Sequence, residues 1–262
     1  MTTVVADTKR TTQEIFSRTE MDGSRFVYKI DSENVPILET KLIEYPDLKT
    51  TVAVVAGDTY DEALNMYKLK TDTDLMPVCV LNFANAYKPG GGWLSGAQAQ
   101  EEQLCYRSTL AGTLDERLYP LKHEEVFYSP QVIVYRGNNA KGYRFMDKHF
   151  VVSVVSMAAI NGPILTPDNS TYLNKSDREI MISRMRTVLR TAGQNNHRRL
   201  ALGPVGCGVF GNPPQAVADC WKSVLLEKEF HGWFERIHFI IKDRHGSNNF
   251  EPFKKTLDGL SM

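Results

Sequence analysis

Long apolar runs, disulfide patterns and an excess of charge of one sign are all missing from this sequence of 262 residues. Its 31 lysines and arginines balance 31 aspartates and glutamates, so strong direct binding to nucleic acid, which needs a cationic surface, is not expected. No apolar run approaches the roughly 20 residues of a membrane span. Residues 1–20 lack the apolar region of a secretory signal. We therefore expect a monomer without membrane contact that is intracellular, cytoplasmic or nuclear, and not secreted.

Cysteine is also scarce. The four cysteines, Cys79, Cys105, Cys207 and Cys220, form no Cys-x-x-Cys pair, which is typical of reduced thiols inside a cell. The six histidines are scattered without metal-ligand spacing, so we expect neither a metal nor a cofactor.

Short β-branched apolar runs alternate with helical patterns along the chain. The runs predict buried strands at Thr51–Ala56, Pro77–Asn82, Gln131–Tyr135, Phe150–Ser156, Arg199–Leu202 and Ile237–Ile241. The helical patterns predict helices at Tyr60–Leu69, Gln100–Leu114, Lys175–Ala192 and Pro213–Phe230, with terminal helices at Thr12–Thr19 and Phe250–Leu257. Asp115–Pro130 and Asn138–Lys148 are predicted loops. This order predicts an α/β fold with a mixed or parallel sheet covered on both faces. Since no linker interrupts it, we expect one domain over residues 1–262, with residues 1–50 as an N-terminal extension packed on it.

A triple glycine, Gly90-Gly91-Gly92, follows one predicted strand and precedes Glu101 and Glu102 at a predicted helix start. Consecutive glycines let the backbone approach a ligand closely. Adjacent glutamates on a helix point about 100° apart, so they do not form the opposed carboxylate pair of an ordinary glycosidase. One can face a reacting atom while the other binds a hydroxyl. A glutamate pair can equally do no more than complement the helix dipole.

A second glycine loop, Gly206-Cys207-Gly208-Val209-Phe210-Gly211, lies between a predicted strand and a predicted helix. Backbone amides at a helix start favour a diphosphate, and we expect Asn212 to be the N-cap, with Pro213 in the first helical position. The loop also matches the dinucleotide pattern GxGxxG. That pattern requires an acidic residue about 20 residues later, whereas Asp243 lies much further along, so a nicotinamide dehydrogenase fits poorly.

The first loop carries a family resemblance. The resemblance rests on Gly90-Gly91-Gly92, seven intervening residues and Gln100-Glu101-Glu102, flanked by Asn82-Phe83-Ala84-Asn85 and Cys105-Tyr106-Arg107-Ser108-Thr109-Leu110. This pattern is similar to that of the microbial-type poly(ADP-ribose) glycohydrolases of the macrodomain superfamily. The resemblance extends from about Thr51 to Ile241. It implies a macrodomain-like three-layer α/β/α fold and hydrolysis of the ribose–ribose O-glycosidic bond of poly(ADP-ribose) on modified proteins, which releases ADP-ribose.

The resemblance also implies roles for individual residues. Glu102 is expected to be the general acid and base, while Glu101 holds the ribose hydroxyls. Asp58 is expected either to accept a hydrogen bond from adenine or only to cap a helix. Asn85 is expected at the distal ribose, and Phe210 packs against it. The other expected substrate-binding residues are Gly90, Gly91, Gly92, Gln100, Gly206, Cys207, Gly208, Val209 and Gly211.

Two other functions stay open. A non-catalytic macrodomain would bind ADP-ribose and leave the polymer intact, and a related hydrolase would remove mono(ADP-ribose). The Gln-Glu-Glu sequence favours an enzyme. The absence of room for an accessory domain in 262 residues favours attack at chain ends.

Overall fold

The seven strands of the described residues form a single mixed sheet. The computed structural model describes residues 1–18, 25–39, 48–69, 76–122, 124–243 and 246–262. The strands are β1 (Tyr28–Asp31), β2 (Thr51–Ala56), β3 (Cys79–Phe83), β4 (Glu125–Arg136), β5 (Phe145–Met157), β6 (Arg199–Leu202) and β7 (Arg236–Ile241). Their order across the sheet is β1-β4-β5-β3-β6-β7-β2. The pairs among β1, β4 and β5 are antiparallel, and all pairs from β5 to β2 are parallel.

Helices cover both faces of this sheet. They are α1 (Thr2–Phe16), α2 (Thr59–Lys68), α3 (Gln100–Arg107), α4 (Leu110–Thr113), α5 (Lys175–Gln194), α6 (Pro214–Leu225) and α7 (Phe250–Leu257). The core on one face contains residues of α5, α6 and α7, such as Trp221. The core on the other contains residues of α2, α3 and α4, such as Tyr60. Because side chains alternate along a strand, Leu81 of β3 joins the first core and Val80 the second. The predicted three-layer arrangement with a mixed sheet is confirmed.

The antiparallel half of the sheet differs most from the sequence prediction. Strand β1 has no predicted counterpart, and β4 and β5 extend by several residues into segments that were predicted as loops. Both strands carry exposed polar positions, and their pairing shifts register between Ser129 and Val132. In β5 the exposed Asp147, Lys148 and His149 interrupt the continuous apolar run by which a buried strand is recognised. Strand β4 is almost wholly buried, but its irregular pairing and its polar residues interrupt the same pattern.

Two predicted helices also end differently. The helix expected over Gln100–Leu114 is interrupted, because Ser108 forms a β-bridge with Val134 and the Thr109 amide donates to the Ile133 carbonyl. The N-terminal helix spans Thr2–Phe16 rather than Thr12–Thr19, and Thr19 itself lies outside the described residues. By contrast, β2, β6 and α7 have the predicted bounds.

The parallel strands place their carboxyl ends along one edge of the sheet. In open α/β sheets this is the edge at which ligands bind. Both glycine loops start there, the first after β3 and the second after β6. Within the described residues, no helix combines the length and the apolar character that a membrane span requires.

Candidate active site

A cleft of about 790 Å³ opens at the carboxyl ends of the parallel strands. This volume lies within the range of small-molecule sites, roughly 300–1,000 Å³. Residues that follow β2, β3, β6 and β7 line the cleft together with one side of α3; they include Asp58, Ala84, Gln100, Gly208 and Lys242. The second glycine loop and residues on either side of the triple glycine therefore line one cavity, whereas Gly90, Gly91, Gly92 and Asn85 are not among its lining residues.

Helix α3 is polar in sequence but buried in the fold, since all its residues from Glu101 to Arg107 are buried. Buried polar groups need hydrogen-bond partners. Gln100 finds two on β3: its Oε1 accepts from the Phe83 amide at 2.9 Å and its Nε2 donates to the Leu81 carbonyl at 2.8 Å. Gln100 was expected to bind substrate. Its side-chain amide joins the helix start to the strand, and the residue forms part of the cleft wall, so substrate binding by Gln100 stays a prediction.

Glu101 is held by the segment that follows β3. Its carboxylate accepts from Asn82 Nδ2 at 3.1 Å and from the Asn85 amide at 2.8 Å. Burial raises the pKa of Glu101 to about 8, the hydrogen bonds from Asn85 and Asn82 oppose the rise, and the neighbouring charge of Glu102 adds to it. A buried carboxyl group that keeps its proton near neutral pH is therefore present at this site.

Glu102 is held by the triple glycine. Its Oε1 accepts from the Gly92 amide at 2.8 Å. Its Oε2 is buried and has no hydrogen-bond partner among the described residues. An unpartnered buried carboxylate oxygen is costly, so Glu102 retains the capacity to bind or protonate an incoming hydroxyl or ether oxygen.

Gly91 is required by the glutamates themselves. Gly90 and Gly91 have φ values of 70° and 60°, in the left-handed region that favours glycine. A Cβ at Gly91 would lie 2.5 Å from Glu102 Oε1 and 2.9 Å from Glu101 Oε2. The two carboxylates are thus close neighbours packed against one Cα, where no side chain fits.

The amides of this loop are not free for a ligand. The Gly91 amide donates to the Lys88 carbonyl and the Gly92 amide donates to Glu102. Both amides are therefore satisfied within the protein, that of Gly92 by the buried Glu102 carboxylate, which needs a donor. Substrate binding by Gly90, Gly91 and Gly92 stays a prediction.

Neither glutamate lines the cleft. Helix α3 turns Gln100, Gln103 and Leu104 towards the cavity, and Glu102 lies on the side of the helix that faces the glycine loop. Gln103 was missed by the sequence analysis. Its Oε1 accepts from Tyr143, while its buried Nε2 has no partner among the described residues. Its position one turn after Gln100 was the available signal.

Asn85 connects the glutamates to the surface of the loop. Its amide binds Glu101, and its side-chain oxygen accepts from the Tyr87 and Lys88 amides at 2.9 and 3.0 Å. The side-chain oxygen thus fixes a turn. The contact between Asn85 and the distal ribose stays a prediction.

The second glycine loop presents unused donors. The amides of Gly208, Val209 and Phe210 donate to no acceptor in the part of the chain that the structure describes. All three residues line the cleft, and Val209 is 86% exposed. Successive free amides near the start of α6 favour the binding of an anion.

Asn212 does not have the expected capping role. Helix α6 begins at Pro214, with Pro213 as the N-cap. The buried Asn212 side chain instead donates to the carbonyls of Ile160 at 2.7 Å and Gly206 at 3.2 Å, and accepts from the Tyr172 hydroxyl at 2.9 Å. Asn212 thus fastens the second glycine loop to the segment that follows β5.

Asp58 has the expected capping role. It is the N-cap of α2 and accepts from the Tyr60 and Asp61 amides. It also forms an ion pair with Arg107, whose side chain is 1% exposed. Because Asp58 lines the cleft as well, a contact with adenine stays a prediction.

Several cleft residues were missed because they follow β7 or come from a distant loop. Lys242 donates to Asn139 at 3.3 Å, and both line the cavity together with Ser247 and Asn249. Asp243, in contrast, accepts from the amides of Asn249 and Phe250 at the start of α7. Within the described ranges, no cluster of three His, Cys, Asp or Glu residues is arranged to hold a metal ion.

Comparisons with known proteins agree on one family. Residues 18–137 match the model of the microbial-type PARG catalytic domain. The solved structure of poly(ADP-ribose) glycohydrolase from Thermomonospora curvata is 27% identical, with 97% of this chain and 98% of that chain covered and a TM-score of 0.81.

Two liganded structures are also similar. The Thermomonospora curvata enzyme bound to the inhibitor ADP-HPD is 27% identical, with 97% of each chain covered and a TM-score of 0.79. The Deinococcus radiodurans enzyme in complex with ADP-ribose is 26% identical, with 91% of this chain and 97% of that chain covered and a TM-score of 0.74. The comparison with curated protein sequences found no match.

Proposed function

We propose that this chain is a microbial-type poly(ADP-ribose) glycohydrolase that hydrolyses the ribose–ribose O-glycosidic bond of poly(ADP-ribose) and releases ADP-ribose. Residues 18–137 match that family's model, and the Thermomonospora curvata enzyme is similar over 97% of this chain. The observation that carries the proposal is the pair of buried carboxylates, Glu101 and Glu102, packed against Gly91 beside a nucleotide-sized cleft. A module that only binds ADP-ribose has no need for two neighbouring buried acids, each of which is costly to bury.

The second glycine loop is the proposed binding site of the diphosphate. Its free amides at Gly208, Val209 and Phe210 supply donors, and Lys242 supplies a positive charge in the same cleft. Asp58 lies at the part of the cleft that we assign to adenine. Asn85 and the outer surface of the triple glycine are then left for the distal ribose.

The proposed reaction uses the unpartnered oxygen of Glu102. Glu102 donates a proton to the departing ribose oxygen as the bond from that oxygen to the anomeric carbon breaks. The oxocarbenium-like transition state is stabilised by the nearby carboxylate charge. Glu102 then removes a proton from the water that attacks the same carbon. Glu101 holds the ribose hydroxyls.

One proton near neutral pH is enough for this scheme. The raised pKa of about 8 belongs to Glu101, the neighbour of the expected acid Glu102. The proposal requires that the pair retains one proton and that Glu102 carries it when the bond breaks. A bound diphosphate favours protonation of the pair through its negative charge.

Replacement of Glu102 tests the function. We expect Glu102→Gln to lower turnover of poly(ADP-ribose) by about 10²–10⁴-fold, the usual contribution of general acid–base catalysis, while ADP-ribose binding measured by calorimetry survives. Glu251→Gln, at an exposed position in the first turn of α7, is the matched control and should keep wild-type turnover. Near-normal hydrolysis by Glu102→Gln would remove Glu102 from the mechanism.

The same polymer assay decides between the open alternatives. Wild-type protein that binds poly(ADP-ribose) without releasing ADP-ribose would be a reader. Faster release from mono(ADP-ribosylated) protein than from polymer would favour the related hydrolase. Attack at chain ends belongs to the proposal and is tested with end-labelled polymer.

The proposal extends to the organisation of the chain. A single domain is supported by its N-terminal residues, since β1 pairs with β4 and Thr8 Oγ1 donates to the Tyr106 carbonyl. A monomeric state and an intracellular location are part of the same proposal. Size-exclusion chromatography and cell fractionation test them.

A further inference from the structure

A second cavity of about 870 Å³ is lined by residues of α2, of β5 and of the segment between β4 and β5. Lys68, Arg107, Lys141 and Arg144 line it, and Asp61 is the one acidic residue among the described residues that do so. The Asp61 carboxylate is already occupied by Arg107 at 2.7 Å, Asn138 at 2.8 Å and Lys141 at 3.4 Å. The cavity therefore carries an excess of positive charge.

Two of these cations have no acidic partner. Neither Lys68 nor Arg144 forms an ion pair within the described residues, and both are exposed. Arg107, by contrast, is buried and held by Asp58 and Asp61. Lys68 and Arg144 are thus the side chains that are available to an anion, since phosphate groups are bound by lysine and by the planar fork of arginine.

The apolar part of the cavity fits a base. Phe145 lines it and is 53% exposed, although the Arg136 guanidinium lies over the ring at 4.2 Å from its centroid. Leu64, Met146 and Phe150 add apolar surface. An exposed aromatic ring beside unpaired cations is the combination that binds nucleotides by stacking and by charge. Neither feature serves the chemistry at Glu102.

The cavity shares a wall with the cleft. Asp58 lines the cleft, while its ion-pair partner Arg107 lines the second cavity. Asn139 likewise lines the cleft, and the next residues, Ala140 and Lys141, line the second cavity. A ligand in either cavity thus contacts the same buried ion pair or the same short loop.

We propose that this second cavity binds an adenosine-diphosphate group, with its phosphates at Lys68 and Arg144 and its base on Phe145. The group can come from free nucleotide or from a neighbouring unit of the polymer in the cleft. The second source rests on the proposed function, whereas binding of free nucleotide does not.

Calorimetric titration with ADP-ribose tests the site. We expect the wild-type protein to bind two equivalents and the Lys68→Glu/Arg144→Glu variant to bind one, with the affinity of the remaining site changed less than about twofold. The control Lys175→Glu/Lys255→Glu reverses two exposed charges on α5 and α7 and should still bind two equivalents. A single equivalent in the wild type, or two in the Lys68→Glu/Arg144→Glu variant, would overturn the proposal.

Polymer kinetics on the same variants separate the two sources. If the cavity holds a neighbouring polymer unit, we expect KM for long poly(ADP-ribose) to rise about tenfold, the loss expected when charge-assisted hydrogen bonds are removed, with kcat retained. That result would also favour cleavage within the polymer over cleavage at its ends. An unchanged KM, together with the loss of one ADP-ribose equivalent, assigns the cavity to free nucleotide. Failure of the proposed function would appear separately, as absent turnover in the wild-type protein.

Discussion

The two glycine loops look alike in sequence and do opposite things with their backbone. In the first, the Gly92 amide donates to Glu102 and the Gly91 amide donates to Lys88, so the donors are consumed inside the protein. In the second, the amides of Gly208 and Val209 have no acceptor among the described residues and line the cleft. The first loop holds the carboxylates in position, and the second keeps free amides that can bind an anion.

The difference follows from what lies beneath each loop. The first loop covers the start of α3, whose two buried carboxylates require donors. Among the described residues, no carboxylate accepts a hydrogen bond from the second loop. The loop is fastened from below by Asn212, which binds backbone carbonyls and leaves the amides unused. A glycine-rich sequence therefore shows where the backbone can approach another group closely. The neighbouring side chains determine whether that group belongs to the protein or to a ligand.

The largest effect is expected from Gly91→Ala, which tests the role of the first loop. The added Cβ would meet Glu102 Oε1 at 2.5 Å and Glu101 Oε2 at 2.9 Å, so at least one carboxylate must move. We expect kcat on poly(ADP-ribose) to fall by about 100-fold or more, within the range of lost general acid–base catalysis. ADP-ribose affinity, which the second loop provides, should change little in calorimetry.

A matched glycine separates this clash from backbone strain. Gly259 has a similar φ of 70°, and its added Cβ meets nothing within 4 Å. Gly259→Ala should therefore cost about 1–2 kcal/mol in stability through its left-handed backbone and keep kcat. If Gly91→Ala were no slower than Gly259→Ala, the packing of the first loop on the acids would have no role in catalysis.

The pH dependence of stability also distinguishes the two loops, because among the described residues only the first loop covers a carboxyl group with a shifted pKa. The pKa of Glu101 is raised from 4.5 to about 8. Between these values the folded protein binds a proton that the unfolded chain has released, so the free energy of unfolding decreases as pH rises through this window. We expect urea unfolding to show that decrease from pH 5 to pH 8, and Glu101→Gln to flatten it. An equally steep decrease in Glu101→Gln would assign the proton elsewhere.

How far the sequence predicts this site depends on the range of the interactions. The glycines, Glu101 and Glu102 were identified because they are close in sequence and their chemistry is local. Lys242 and Asn139 were missed because their contact joins residues far apart in the chain. Asn212 was assigned a cap from its position before Pro213, and only the tertiary structure shows that its side chain binds Gly206 and Tyr172 instead.

The same reasoning explains the fold. Strands β2 and β6 were predicted with their observed bounds, since both are short continuous apolar runs, although only β6 is buried throughout and β2 is an edge strand. Strand β1 has exposed and half-buried positions only and pairs with a single neighbour, β4. Its formation depends on that partner, and no local pattern marks it.

Within the second loop, Gly206→Ala should weaken binding rather than catalysis. Its φ is 80°, and the added Cβ would meet Ala159 Cβ at 2.5 Å and Asn212 Nδ2 at 2.6 Å. We expect the Kd for ADP-ribose to rise about tenfold, equivalent to 1.4 kcal/mol, with kcat at saturating polymer within about threefold of wild type. Gly211→Ala has a similar φ of 72° without any clash and should raise Kd less. A larger effect on kcat than on Kd would show that the second loop acts in catalysis, as we propose for the first.

The smallest effect is expected from the hydrogen bond between Tyr172 and Asn212 beneath the second loop. Tyr172→Phe removes the hydroxyl that donates to Asn212 at 2.9 Å and leaves Asn212 Oδ1 without that donor. We expect a loss of about 1 kcal/mol in the free energy of unfolding and a Kd for ADP-ribose raised about two- to fivefold, because Asn212 keeps its bonds to Ile160 and Gly206. Tyr28→Phe, at an exposed position of β1, is the control and should change neither. If Tyr172→Phe lowers stability and leaves Kd unaltered, Asn212 supports the fold alone, and the orientation of the free amides is set by the loop itself.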